Sequence, residues 1–127
     1  MIGVGADLLV ALGCQGGRAQ AWILAQLVED VVAAEDSAAL DALLTRPRWV
    51  IGSDGLGRPG PSLLLEPGMP GEDAVVASAA RLGMEVVRAD EPQDDAGHVQ
   101  VCRLGPGGLA AASDPRADGR AEIVQEP

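Results

Sequence analysis

The hydrophobic period of the sequence changes at a glycine cluster, and this change restricts the folds open to the chain. Asp7–Leu12 (DLLVAL) is a short, almost continuous apolar run, which predicts a strand buried on both faces. After Gly13-Cys14-Gln15-Gly16-Gly17 the apolar residues recur at spacings of three and four, as on one face of a helix. The stripe consists of Ala21, Leu24, Ala25, Val28, Val31 and Val32, widened by Trp22, Ile23 and Leu27. We therefore predict a strand, a tight turn and a buried helix from Arg18 to about Ala34.

The rest of the chain alternates short apolar runs with glycine and proline. We predict a second helix from an N-cap at Ser37 to Leu44, stopped by Pro47, and a third over 71–82 with Val75, Ala79 and Leu82 facing inward. Strands are predicted at 48–51, 62–66, 84–88, 98–104 and 109–112, with a last one at 122–124. The first two of these form a hairpin across an exposed loop, Ser53–Pro61, and Gly105–Gly108 is a tight turn. This order predicts an α+β fold with helices covering a mostly antiparallel sheet.

The composition limits how the core can be built. The chain has 127 residues, of which 47% are hydrophobic, but it contains no Phe or Tyr and two Trp. The length suits a single domain over residues 1–127. Its core must consist of Leu, Val, Ala and Ile, since large rings are almost absent.

Charge and cysteine content exclude several classes of partner. A net charge of −10 argues against nucleic acid and anionic membranes, which would repel the chain. Cys14 and Cys102 are too few for a disulfide framework and show no zinc-ligand spacing. No apolar run approaches the roughly 18–20 residues of a membrane span, and the start lacks a basic segment and a cleavage site. We expect a soluble chain without metal, cofactor or signal peptide, and its compartment stays open.

The glycine cluster is the first candidate site. Backbone N–H groups at a strand-to-helix turn have no partner in the helix, and such donors can hold an anion or a developing oxyanion. Gly16 and Gly17 would let a ligand approach the backbone closely. The same glycines could equally form a tight corner and nothing more.

The remaining candidates each have a structural alternative. Arg48 and Arg116 could anchor a carboxylate, or they could form ion pairs inside turns, Arg116 with Asp114 or Asp118. His98 and Cys102 share a strand face, but two ligands do not make a metal site and a Cys–His pair needs an orienting third group. No nucleophile can be identified: Thr45 is the only threonine, and serines 37, 53, 62, 78 and 113 lack a catalytic motif.

Taken in order, these segments resemble the small subunit of gamma-glutamyltransferases. Gly13–Gly17 is similar to the family's Gly-Ser-Pro-Gly-Gly run, and the stretch ending in Pro47-Arg48-Trp49 to its Pro-Arg-Trp segment. Leu64–Pro67 resembles the family's strand ending in glutamate, and Gly97–Val101 its Gly-x-x-Gln-x-Ile strand. Asp114–Gly119 (DPRADG) resembles the closing Asp-Pro-Arg-Arg-x-Gly. The match runs from about Leu8 to Val124.

The resemblance implies a partial domain, the C-terminal portion of an N-terminal-nucleophile hydrolase αββα sandwich. It assigns the oxyanion-hole N–H groups to Gly16 and Gly17. The complete enzyme would transfer or hydrolyse the gamma-glutamyl group of glutathione-type substrates, without a cofactor. Its threonine nucleophile has no counterpart in this sequence, so the partner would be the missing N-terminal part or another subunit, and the chain alone would be inactive. Cys14-Gln15 in place of Ser-Pro and Ala117 in place of the second arginine depart from the family pattern.

A different class of function also fits the sequence. A free-standing, non-catalytic α+β module that binds a small acidic molecule or another chain would have the same composition and the same turns. The two interpretations differ in one expectation: a fragment of a larger sandwich should expose apolar sheet surface.

Overall fold

The computed structural model describes residues 2–3, 7–52 and 61–124, with only the backbone of residues 2–3, and contains two sheets. The first sheet is antiparallel throughout, in the order β1-β2-β6-β7. In the second sheet, of order β3-β4-β5, the β4–β5 pair is parallel. The strands are β1 (Ile2–Gly3), β2 (Leu9–Gln15), β3 (Trp49–Gly52), β4 (Ser62–Leu65), β5 (Glu85–Arg88), β6 (His98–Gly105) and β7 (Gly108–Ser113). The α+β class and the mostly antiparallel pairing are confirmed.

The helices differ from the prediction in their bounds. They are α1 (Gln20–Ala25), α2 (Val28–Ala33), α3 (Ser37–Leu44) and α4 (Glu72–Arg81), with 3₁₀ turns at Gly17–Ala19 and Asp94–Ala96. The single helix expected from Arg18 to Ala34 is wrong, because the chain breaks at Gln26 and Leu27. There the side-chain amide of Gln26 joins α1 to the edge of β3. It donates to the carbonyl oxygens of Trp22 and Trp49, at 2.8 Å each, and accepts from the N–H of Trp49 at 3.1 Å.

The cap of α3 lies one residue earlier than predicted. The Asp36 carboxylate accepts from the N–H of Ala39 at 2.8 Å, so Asp36 is the N-cap. The Ser37 hydroxyl instead accepts from the N–H of Ala111 in β7, at 3.1 Å. This bond ties the start of α3 to the sheet that the helix covers.

The main core lies between α1–α3 and one face of the first sheet. Its sheet side consists of Val10, Val99, Val101, Ala110 and Ala112, and its helix side of Ile23, Leu27, Val31, Leu40, Leu43 and Leu44. Small aliphatic residues fill this core, as the composition predicts. β2 and β6 pair over the whole length of β2, so the end of β2 at Gln15 lies opposite the start of β6 at His98.

The opposite face of the first sheet is exposed, and we call it the outer face. Leu9, Leu104 and Leu109 stand in one row across β2, β6 and β7 and are 43%, 52% and 50% exposed. Ala11, Cys102 and Ala111 form the next row. The prediction that residues 7–12 are buried on both faces is wrong, since helices cover only one face of this sheet.

The second sheet packs on α4 with one face and on the main core with the other. The predicted hairpin is confirmed, with Val50 opposite Leu64, and so is the Gly105–Gly108 turn. Leu82 was expected to face inward but is 68% exposed, because α4 ends just before it.

Two other expectations concern the loop and the tail. Residues 53–60 of the predicted loop lie outside the described residues. Residues 122–124 are exposed and irregular, and the predicted last strand is absent there. Within the described part of the chain, none of the helices has both the length and the apolar character needed to cross a membrane.

Candidate functional site

The glycine turn at the end of β2 is the part of the structure most suited to bind a ligand through its backbone. Gly17 has φ +50° and opens the 3₁₀ turn, a conformation that strongly favours glycine. The carbonyl oxygen of Gly16 accepts from the N–H of Ala19 at 2.8 Å. No described residue accepts a hydrogen bond from the N–H of Gly16 or of Gly17. Two adjacent donors are therefore available to an anion or an oxyanion.

The helix that follows contributes less than the sequence implies. A long helix beginning at Arg18 would add its dipole to the turn, whereas the structure has a three-residue 3₁₀ turn and then the six-residue α1. The donor capacity of the turn thus comes from the two amide groups themselves.

Close packing fixes the underside of this turn. A Cβ built on Gly16 would lie 2.6 Å from Cδ1 of Ile23 and 3.3 Å from Sγ of Cys14. A Cβ on Gly97, which has φ +77°, would lie 2.5 Å from the same Ile23 atom and 3.1 Å from the carbonyl oxygen of Gln15. A side chain at either position would force Ile23 to shift, so Gly16 and Gly97 allow the ends of β2 and β6 to pack closely.

Cys14 lies below the turn as a free, partly buried thiol. Burial raises its pKa above the ordinary thiol value, an effect partly opposed by the positive charge of Arg48 and reinforced by the negative charge of Asp114. The thiol is therefore protonated at neutral pH and is a poor nucleophile.

Next to the turn lies a cluster of four buried charges, beginning with Asp114. Its carboxylate is 2.6 Å from Nη2 of Arg48 and 3.1 Å from Nη1 of Arg116. It also accepts from the backbone N–H groups of Val99 and Arg116, both at 3.1 Å. Two cations and two amides thus surround one carboxylate.

Glu66, the residue after β4, is the second carboxylate of this cluster. It receives Nε of Arg116 at 2.7 Å and Nη2 at 2.5 Å, the two-pronged geometry that arginine favours. The backbone N–H groups of Arg48 and Gln93 donate to it at 2.8 Å each. The four side chains are 2% exposed or less, and their charges sum to zero.

The remaining donors of the two arginines go to carbonyl oxygens, except for Nε of Arg48, which is buried and has no hydrogen-bond partner among the described residues. Arg48 donates to Leu44, Ala96 and Gly97 at 3.1, 3.2 and 2.9 Å, and Arg116 to Leu44 and Arg46 at 2.9 and 3.1 Å. Burial lowers the pKa of Arg48, with Asp114 opposing this. Burial also acts to lower the pKa of Arg116, but its bonds and attraction to Glu66 and Asp114 more than compensate and raise it. Both stay charged at neutral pH.

The cluster decides between the two interpretations of these arginines. Arg48 and Arg116 bind carboxylates of this chain, Asp114 and Glu66, and their buried forks do not reach solvent. Of the two partners considered for Arg116, the structure selects Asp114. Sequence reasoning missed Glu66 as the second partner, although a charged residue closing the apolar run Ser62–Leu65 was a signal.

The other candidates are not brought to the glycine turn as a catalytic group. Nε2 of His98 lies 3.5 Å from the Asp94 carboxylate, an ion pair only when the imidazole is protonated. Cys102 is exposed on the outer face. The Thr45 hydroxyl donates to the carbonyl oxygen of Ala42 at the end of α3, at 2.8 Å. Within the described residues there is no group of three potential metal ligands.

Comparison with solved structures identifies the fold. The transpeptidase CapD of Bacillus anthracis is 17% identical, with a TM-score of 0.70 over 98% of this chain and 68% of that chain. A highly active mutant of gamma-glutamyltranspeptidase from Pseudomonas nitroreducens is 20% identical, with a TM-score of 0.57 over 92% of this chain and 56% of that chain. The structure of this gamma-glutamyltranspeptidase complexed with L-DON has a TM-score of 0.56. No family model and no curated protein match the sequence.

The likeness confirms the predicted resemblance at the level of the fold. Both neighbours are transpeptidases by name, and the α+β arrangement expected from the sequence matches the fold of the aligned part of each. The chain spans 68% of the first of these structures and 56% of the other.

Proposed function

We propose that this chain forms the oxyanion-binding part of a gamma-glutamyl acyltransferase or hydrolase. The observation that carries the proposal is the glycine turn: the two adjacent N–H groups of Gly16 and Gly17 have no acceptor among the described residues, and the chain has the fold of two transpeptidases. Backbone donors of this kind stabilise the negative oxygen of a tetrahedral intermediate in acyl transfer.

In this proposal the nucleophile comes from sequence outside these 127 residues. A threonine hydroxyl would attack the gamma-glutamyl carbonyl, and the oxygen that becomes negative would lie against the N–H groups of Gly16 and Gly17. Cys14 is protonated and below the turn, and Thr45 caps α3, so neither serves this role. The buried charge cluster, which is internally neutral, maintains the structure and contacts no substrate.

The outer face is suited to pack against a partner segment. Its rows of apolar side chains on β2, β6 and β7 are solvated in this chain, and burying them against a second layer would be favourable. The structural neighbours extend beyond the part that this chain matches. We infer that the segment supplying the nucleophile, whether on the same polypeptide or on another subunit, packs on the outer face.

The first test is made on the DNA upstream of Met1. An uninterrupted reading frame that encodes a threonine-rich processing site, or a neighbouring gene that does, supports the proposal. A promoter and ribosome site directly before Met1, with no such gene, contradicts it.

The second test is enzymatic. The purified 127-residue chain should not turn over a gamma-glutamyl anilide, whereas the chain joined to its upstream segment, or mixed with the neighbouring gene product, should release the aniline. Turnover by the 127-residue chain alone would contradict the assignment of the nucleophile. Absence of turnover by the joined product would contradict the proposed reaction.

A further inference from the structure

Arg48 ties the start of β6 to the rest of the molecule. Its Nη1 donates to the carbonyl oxygens of Ala96 and Gly97, at 3.2 and 2.9 Å. Its Nη2 donates to the carbonyl oxygen of Leu44 at 3.1 Å and lies 2.6 Å from the Asp114 carboxylate. One buried cation thereby fixes residues 96–97 relative to α3 and to the segment after β7.

Gly97 in turn contacts the residues that lead into the glycine turn. A Cβ atom built on Gly97 would lie 2.5 Å from Cδ1 of Ile23 and 3.1 Å from the carbonyl oxygen of Gln15. A Cβ atom built on Gly16 would lie 2.6 Å from the same Ile23 atom. Because packed interiors have little free volume, a displacement of Gly97 must move Ile23, Gln15 or Gly16.

Arg48 cannot act on a ligand directly. Its side chain is 1% exposed, and it lies beneath the turn among its own carboxylate and carbonyl partners. An influence of Arg48 on a bound oxyanion must therefore pass through Gly97 and the end of β2.

We propose that Arg48 is a positioning residue for the N–H groups of Gly16 and Gly17, acting through the carbonyl oxygens of Ala96 and Gly97. The inference rests on the proposed function in one respect: the proposed function is what gives the N–H groups of Gly16 and Gly17 an oxyanion to bind. The coupling between Arg48 and the turn is a property of the 127-residue chain, and it can be measured without any activity.

The experiment records the backbone amide resonances of selectively ¹⁵N-glycine-labelled protein well below its unfolding temperature. The main variant is Arg48→Gln with Asp114→Asn, which removes one charge of each sign and keeps the cluster neutral. We expect the resonances of Gly16, Gly17 and Gly97 to shift, while that of Gly71, at the start of α4, stays in place. Arg88→Gln, which removes an exposed ion pair with Glu72, is the control and should leave the resonances of Gly16, Gly17 and Gly97 unchanged.

Loss of stability alone would not move these resonances in the folded protein. A folded double variant in which Gly97 shifts but Gly16 and Gly17 do not would overturn the inference. That result would leave the proposed function intact, because the turn could still bind an oxyanion without help from Arg48.

A second set of variants covers the case in which the double variant does not fold. Arg48→Lys keeps the charge but cannot reach all four partners of the arginine fork, and Gly97→Ala disturbs the contact with Ile23 directly. We expect both to shift the resonances of Gly16 and Gly17, and addition of Ile23→Val, which removes Cδ1, to reduce the shift caused by Gly97→Ala. Unchanged Gly16 and Gly17 resonances in both single variants would contradict the proposal.

Discussion

At the scale of the residue, the environment of Asp114 consists of buried charges and backbone amides. Its carboxylate is fully buried between Arg48 and Arg116 and accepts two backbone amides. Removing one member of a buried ion pair leaves its partners charged and desolvated, which costs about 3–5 kcal/mol. Asp114→Ala should therefore lower the free energy of unfolding by about that amount in urea denaturation. Asp118→Ala, exposed in the same segment, should change it by less than about 0.5 kcal/mol.

Cys14 gives the chain a specific pH dependence. Burial raises the pKa of its thiol, so the unfolded chain releases the proton at lower pH than the folded chain. The stability associated with the neutral thiol is complete below about pH 8.5, the ordinary thiol pKa, and is lost as pH rises above it. In a Cys102→Ser background, unfolding free energy should fall more steeply above that pH with Cys14 than with Cys14→Ala. Identical slopes would contradict the assignment.

The residues of the charge cluster show what could be predicted from the sequence and what could not. Arg48, Asp114 and Arg116 stood out because each lies in a motif with proline, and the Arg116–Asp114 pair spans two positions. Glu66 is 50 positions from Arg116. Local pattern carries no information about such a contact, since it forms only when β4 and the segment after β7 meet in the fold.

At the scale of the element, the glycine turn can be tested by comparing two glycines of one segment. A Cβ at Gly13 or at Gly17 would meet nothing within 4 Å, but only Gly17 has a positive φ, of +50°. Gly17→Ala should cost about 1 kcal/mol of stability, and Gly13→Ala should cost none. Equal effects in thermal unfolding would mean that the turn does not need the left-handed conformation.

The bounds of the strands were predicted more accurately from the sequence than those of the helices. Apolar runs bounded by glycine or proline predicted β3, β4, β5, β6 and β7 to within two residues at each end. The break between α1 and α2 was missed because its cause is the bond from Gln26 to Trp49, 23 positions away. The spacing of apolar residues cannot show that the polar side chain of Gln26 bonds to the edge of a distant strand.

At the scale of the whole molecule, the outer face distinguishes a part of a larger sandwich from a free-standing module. Its leucines are half exposed in one row, so the isolated chain should bind an apolar dye and self-associate. Leu104→Lys with Leu109→Lys should suppress both while the fold persists. Leu82→Lys, at a more exposed position at the end of α4, should not. A monomeric wild-type chain that binds no dye would favour the free-standing module.

The fold itself was predictable at this scale, because the ordered set of short motifs resembled a known family along nearly the whole chain. The covering of only one face of the first sheet was not predictable from β2, whose apolar run suited burial on both faces. That run keeps the composition of a doubly covered strand, which agrees with a second layer outside these 127 residues.

The most direct measurement replaces a single backbone amide in the chain joined to its proposed upstream segment. Incorporating glycolate for Gly17 turns its N–H into an ester oxygen and leaves the glycine conformation available. We expect kcat for the gamma-glutamyl anilide to fall by about 10²–10³, the effect of losing one oxyanion donor, with KM little changed. Glycolate at Gly71 is the control. An unchanged kcat with glycolate at Gly17 would contradict the assignment of the oxyanion hole to this turn.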